Sequence, residues 1–453
     1  MRALFAGSVC LLAAATASAQ PLTAPLSPTS PPATLGPLTV ATQPPPTPTT
    51  PGPPPAALNL GGPGPTLGLP SYPTIADGMG QGAPIPLYDA PGGNPWAMTH
   101  QGFWAQADYL LWWITPMNTP SLIQTVPSAA AVASATNGTT LAAGTTQRYF
   151  PPTDRVEFGG FSGARLSTGY NFESFGIDAS AFFLNQKTKS NSLYNDGTPV
   201  SVAESYIRAG TGTPVSLFGS LAGQYSGGVS SAVSSQVWGV EGNVRVPWFM
   251  FLTTNTDAIA GFRYLEVLEH VTLVNNPTFS NGTTLVVSDS FKTRNDFYGG
   301  QIGLDGRIGP TEHGFGMNLL GKIGLGDVHQ QATLDGSNTY TTPGMPADYQ
   351  AGGLFARGAN MGVFNRDRFA AVFELNTTLT YNFTRWAQAY VGYSVTWLSS
   401  VQRPGDLINT TINDSQIRFI ANAPASNVNQ PVFTWRGTDF TTQGITIGLK
   451  FQY

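Results

Sequence analysis

The last ten residues, Gly444-Ile445-Thr446-Ile447-Gly448-Leu449-Lys450-Phe451-Gln452-Tyr453, separate apolar from polar side chains at every step. Side chains of an extended strand alternate between its two faces. Ile445, Ile447, Leu449, Phe451 and Tyr453 therefore share one face, and Thr446, Gly448, Lys450 and Gln452 share the other. Such a strand needs an apolar medium on one side and a polar one on the other. With its terminal aromatic residue, it suits the closing strand of a sheet rolled into a membrane-spanning cylinder.

The same texture recurs upstream. Strands are expected at 102–114, 163–171, 175–188, 235–247, 257–274, 295–309, 313–334, 368–383, 386–400 and 440–453. In the eighth, Phe373, Leu375, Leu379, Tyr381 and Phe383 oppose Glu374, Asn376, Thr378, Thr380 and Asn382. In the fourth, Trp238, Val240, Val244 and Val246 oppose Glu241, Asn243 and Arg245. The fifth alternates cleanly only through Arg263, and a slip of phase near Leu265–Glu266 points to a bulge. Connections after the odd strands are long and those after the even strands short, as in an outer-membrane barrel with long external loops and short periplasmic turns. A soluble sandwich has no reason to sort its loops in this way. The expected fold is all-β: a closed antiparallel transmembrane barrel over 101–453, of about ten strands with twelve as the alternative. Both of its ends would face the periplasm.

Charge supports the assignment of faces. Only 10% of residues are charged, against roughly 25% in ordinary soluble domains. Asp108, Asp178, Glu241, Asp305 and Glu374 balance Arg165, Arg245, Arg263, Arg307, Lys322 and Lys450, all on the polar faces. These eleven are expected to line the lumen, because an Arg or Lys turned to lipid costs roughly 2–4 kcal/mol near the midplane. Trp104, Trp112, Trp113, Trp248, Phe249, Trp386 and Trp397 lie near strand ends, where rings with a polar edge settle at the headgroup level.

Residues 1–19 read as a signal peptide, with Arg2, an apolar run and Ala17-Ser18-Ala19 before Gln20. The only cysteine, Cys10, lies inside it, so the mature chain would have neither a disulfide nor a thiolate metal site. Residues 20–100 hold more than half of the 37 prolines, and no charge occurs between Arg2 and Asp77. Proline removes a backbone donor and fixes φ, so this region is expected to be a disordered, polyproline-like periplasmic linker. A net charge of −4 gives no case for nucleic acid.

Several segments together resemble the beta barrel porin-seven family of outer-membrane proteins. They are Asp108-Tyr109-Leu110-Leu111-Trp112-Trp113, Gly261-Phe262-Arg263-Tyr264-Leu265, the run Asn295 to Leu304, Val401-Gln402-Arg403-Pro404-Gly405-Asp406-Leu407-Ile408-Asn409, and Gln443 to Tyr453. The resemblance covers about 102–453 and leaves out the proline-rich region. Thr119-Pro120-Ser121-Leu122 stands where the family shows Pro-Pro-Leu. The resemblance implies an outer-membrane barrel and little chemistry.

No Gly-x-Ser-x-Gly or His-Glu-x-x-His motif is present. His270, after Glu266 and Glu269, and His329, after Asp327, could pair with carboxylates at the rim to activate water or bind a metal, or could be solvated. Arg403-Pro404-Gly405-Asp406 favours a type II turn that either folds inward or caps the ninth strand. The leading expectation is passive, porin-like passage of small polar solutes, without catalysis, cofactor or metal. A closed barrel with a structural or adhesive role through its loops is the alternative, and a rim-sited hydrolase the third reading. Expected partners are outer-membrane lipids, the barrel-assembly machinery through the C-terminal strand, and cell wall through the proline-rich region.

Overall fold

The computed structural model describes residues 101–137, 141, 144–248, 255–309, 313–420 and 423–453. The expected signal peptide, the proline-rich linker and Phe249 lie outside the described residues.

Ten long strands form the barrel: β1 (Gly102–Ile114), β2 (Phe161–Asn171), β3 (Gly176–Asn195), β4 (Tyr225–Trp248), β5 (Asn255–Asn275), β6 (Thr284–Ile308), β7 (Gly314–Thr341), β8 (Gly362–Thr384), β9 (Ala387–Gln402) and β10 (Gly437–Gln452). Each pairs antiparallel with its neighbours in sequence. β10 closes the cylinder on β1, from Trp104↔Gln452 to Ile114↔Thr442. The count is ten, not twelve. Closure leaves no barrel edge open to pairing, which a sheet in lipid requires.

The C-terminal ends of β2, β4, β6 and β8 and the starts of the strands that follow them lie at one end of the barrel, and the long loops lie at the other. The third long loop is only 276–283, because β5 and β6 run further upward than their sequence suggested. Strands from three loops, Ile123–Pro127, Gln147–Phe150, Val200–Arg208, Pro214–Phe218 and Thr411–Ile412, form a small separate sheet, the cap, with the helix Ser128–Asn137 between the first two.

Alternation persists along each strand, but its meaning reverses partway up. On the lower part of β6 the outward residues are Ile308, Leu304, Ile302 and Tyr298, all more than a third exposed. Above them the same face carries Asp296, Arg294, Lys292 and Ser290. β7 changes from Ile323 and Leu325 to Asp327 and His329, and β5 from Phe262 and Tyr264 to Glu266 and His270. The apolar belt on β6 is about ten residues tall; at roughly 3.3 Å per residue and a tilt of 35–45° it spans about 25 Å. That is the height of a membrane's hydrocarbon layer as barrels meet it.

The inward face reverses in step. Arg263 gives way to Leu265 and Val267 on β5, Asp108 to Leu110 and Trp112 on β1, and Glu374 to Val372 on β8. The fifth strand therefore has no slip at Leu265–Glu266. Its ladders to β4 and β6 run without a register shift. What changes there is the surroundings: outside, lipid gives way to water; inside, a polar bore gives way to a packed core. Register shifts occur instead between Ser235 and Val237 of β4 and between Leu398 and Val401 of β9.

Aromatic rings ring the lower rim, with Tyr170, Phe172 and Phe175 in contact and Trp386 stacked on Phe451. At the upper edge of the belt Trp238, Tyr264 and Tyr298 form a ladder with 5.0 Å between successive centroids. Trp104 and Trp112, expected in these girdles, face the bore instead and are buried. They share strand parity with Asp108, and parity decides the face.

Candidate functional site

The candidate site is the bore. All eleven charged residues singled out in the sequence sit on inward positions, and the structure draws all but Lys450 into ion-paired clusters. Arg165 donates to Asp108 Oδ2 at 2.6 Å, and the Tyr390 hydroxyl donates to Asp108 Oδ1. Arg245 bridges Asp178 and Asp305, and Arg307 reaches Asp257 at 2.9 Å and Asp305 at 3.5 Å. At mid-height Arg263 binds both Glu241 and Glu374. Lys322 joins the same two carboxylates, lying 3.8 Å from Glu374. Arg263 is on β5 and Glu374 on β8, so this cluster crosses the bore rather than following its wall. Lys450 makes no ion pair within 4.0 Å among the described residues; its ammonium lies 4.8 Å from the centroid of Trp104. Below the crossing cluster a polar chamber of about 180 Å³ is lined by Gln106, Asn318, Thr380, Asn382, Gln388 and Lys450, among others.

Above the cluster the bore is filled. Val233, Val237, Val267, Val271, Phe291, Phe297 and Val328 are fully buried inside it. Residues 403–407, between β9 and the last loop, fold into this core. The turn at Pro404–Leu407 is 3₁₀ rather than the expected type II, and Gly405 is not among the glycines with positive φ. Glycine is needed there for another reason: a Cβ at Gly405 would lie 1.9 Å from the carbonyl oxygen of Asn118 in the first loop.

Arg403 fixes the turn in place. Its Nε and Nη2 donate to Glu269 at 2.9 and 2.6 Å, and its Nη1 donates to the carbonyls of Thr115 and Pro116 at 3.0 and 2.8 Å. Both side chains are almost wholly buried. Asn295 then acts as a substitute strand partner for the end of β9. Its Nδ2 donates to the Gln402 carbonyl at 2.9 Å, and its Oδ1 accepts from the Gln402 N–H at 2.8 Å. The fourth long loop is held by Asp289, which accepts the N–H groups of Leu354, Phe355 and Ala356 at 3.0, 3.0 and 2.6 Å. Burial pushes the Asp289 carboxyl up to about 6, against the pull of those three donors.

The histidines meet other partners than the carboxylates that precede them in the sequence. Glu269 faces the bore and His270 faces outward, because adjacent strand residues point to opposite faces. His270 meets Ser290 at 2.9 Å, and burial beside Lys292 lowers its pKa. His329 instead meets Asp367 of β8 at 2.7 Å on the open outer wall. Among the described residues no group of three His, Cys, Asp or Glu is placed to hold a metal ion. Asp289 and Tyr390 were not singled out in the sequence, and Glu269 and Asn295 were named there for other reasons, since the roles of all four depend on partners far away in the chain.

A closed cylinder with an apolar outer belt, a charged bore and sorted loops defines an outer-membrane β-barrel protein. The chain belongs to the family described as "Putative beta barrel porin-7", whose sequence model matches residues 104–453. No curated protein matches. Among solved structures, the outer membrane protease OmpT from Escherichia coli is 9% identical, with 78% of this chain and 98% of that chain covered at a TM-score of 0.36. A deletion mutant of the monoaromatic hydrocarbon channel TodX is 7% identical, with 78% and 91% covered at a TM-score of 0.20.

Proposed function

We propose that this chain is an outer-membrane barrel closed by its own loops, which anchors the cap at the cell surface and does not let solutes diffuse freely. Its short turns face the periplasm and its long loops the outside. One observation carries the reading: the upper bore is packed with apolar side chains and sealed by the Arg403–Glu269 pair. A water-filled passage for small polar solutes needs a polar wall along its whole length, and only the lower half has one. The proposal gives the chain no catalytic role. Purified protein, folded in planar bilayers, is expected to be electrically silent. Stepwise ohmic channels from a well-folded sample would overturn the proposal and restore passive passage as the function.

A further inference from the structure

Strand Val200–Arg208 is the hub of the cap. It pairs with Ile123–Pro127 of the first loop, with Pro214–Phe218, and in parallel with Thr411–Ile412 of the last loop. One of its side chains, Glu204, leaves the cap and meets the barrel wall. Asn275 Nδ2, at the top of β5, donates to Glu204 Oε2 at 2.9 Å. Glu204 is only 1% exposed.

Its surroundings are unusual for a carboxylate. The charged group set against it is Asp289 of β6, a second buried carboxylate. Asp289 in turn faces Arg357 of the fourth long loop. Arg208, on the hub strand itself, is engaged by Asp414 at 2.7 Å, and Asp414 also accepts from the Tyr206 hydroxyl at 2.9 Å. Glu204 thus has an amide and a like charge for neighbours, and no ion pair within 4.0 Å among the described residues. Ionising it there costs desolvation and repulsion together.

We infer that seating of the cap on the barrel mouth is linked to a proton on Glu204, which is held neutral while the cap is seated and ionises when the cap lifts. Burial, with Asp289 adding to it, places the seated carboxyl at about 8, against an ordinary 4.5. The seated state therefore binds the proton more tightly than the lifted one. Seating is strongest below the ordinary value. It weakens by about tenfold for each pH unit above that and levels off above the seated value. Asp289 is held by the fourth loop rather than by the cap, and its carboxyl lies lower, at about 6. The inference concerns the cap alone and stands whether or not the bore conducts.

Hydrogen exchange on the full chain in vesicles, corrected for intrinsic rates, tests it. Protection across residues 200–218 should fall about tenfold per unit between roughly pH 6 and 8. Glu204→Gln stays neutral and can still accept from Asn275, so its protection should be flat over that range. Asn275→Leu removes the donor that favours the ionised form and should carry the fall to higher pH. A Glu204→Gln profile parallel to the wild type overturns the inference. If that variant does not fold, an unchanged window in Asn275→Leu overturns it equally. Calcium restoring protection to the wild type at alkaline pH would show that a cation, not a proton, neutralises the site, and would also overturn it.

Discussion

Arg403 and Glu269 show how much one pair can settle. A guanidinium taken from water into an apolar core is tolerated only if its donors are satisfied. Here four of them are, by one carboxylate and two backbone carbonyls. Removing one partner leaves the other charged, buried and alone. Glu269→Ala and Arg403→Ala should each lower stability by about 3–5 kcal/mol. The double replacement Glu269→Leu with Arg403→Met should lose much less than the two losses added together, because no charge remains stranded. Urea unfolding of the vesicle-inserted barrel measures all three. Equal unfolding midpoints for the wild type and both alanine variants would mean that the pair does not hold the turn.

At the scale of the strand, the reversal on β5 separates what the sequence made legible from what it did not. Lower halves follow one rule, apolar outward and charged inward, and Asp108, Glu241, Arg263 and Lys450 could be placed from parity alone. Upper halves follow the opposite rule. On β6, Leu285, Val287 and Phe291 face in, whereas Ile302 and Leu304 face out. Read as one pattern, the change looks like a broken strand, so the sequence suggested a start at 295 where the strand starts at Thr284. Parity also held an unused signal: Glu269 and His270 are adjacent on a strand, and so could not share a site. The reversal predicts a contrast between two outward positions of β5. Phe262→Arg places a charge against lipid and should cost roughly 2–4 kcal/mol. His270→Arg lies above the belt and should cost almost nothing. Folding titrations into vesicles compare the two; similar costs would mean that the apolar belt extends past Tyr264.

Across the whole molecule, the bore meets obstacles in series, and obstacles in series block flow independently. The upper core and its 403–407 turn form one. The Arg263–Glu241–Lys322–Glu374 cluster, which crosses from β5 to β8 inside the lower half, forms the next. A simple plugged pore would open when its plug is cut away. This barrel should not. With residues 404–433 replaced by a short flexible linker, the wall residues Val237, Val267, Phe291 and Phe297 still narrow the upper bore with apolar surface, which excludes water and ions. Below them the ion cluster still spans the passage. The excised protein, shown to be folded by its heat-modifiable mobility, is therefore expected to remain silent in planar bilayers. Open channels from excision alone would mean that the lower cluster parts readily and that the loop turn is the sole closure.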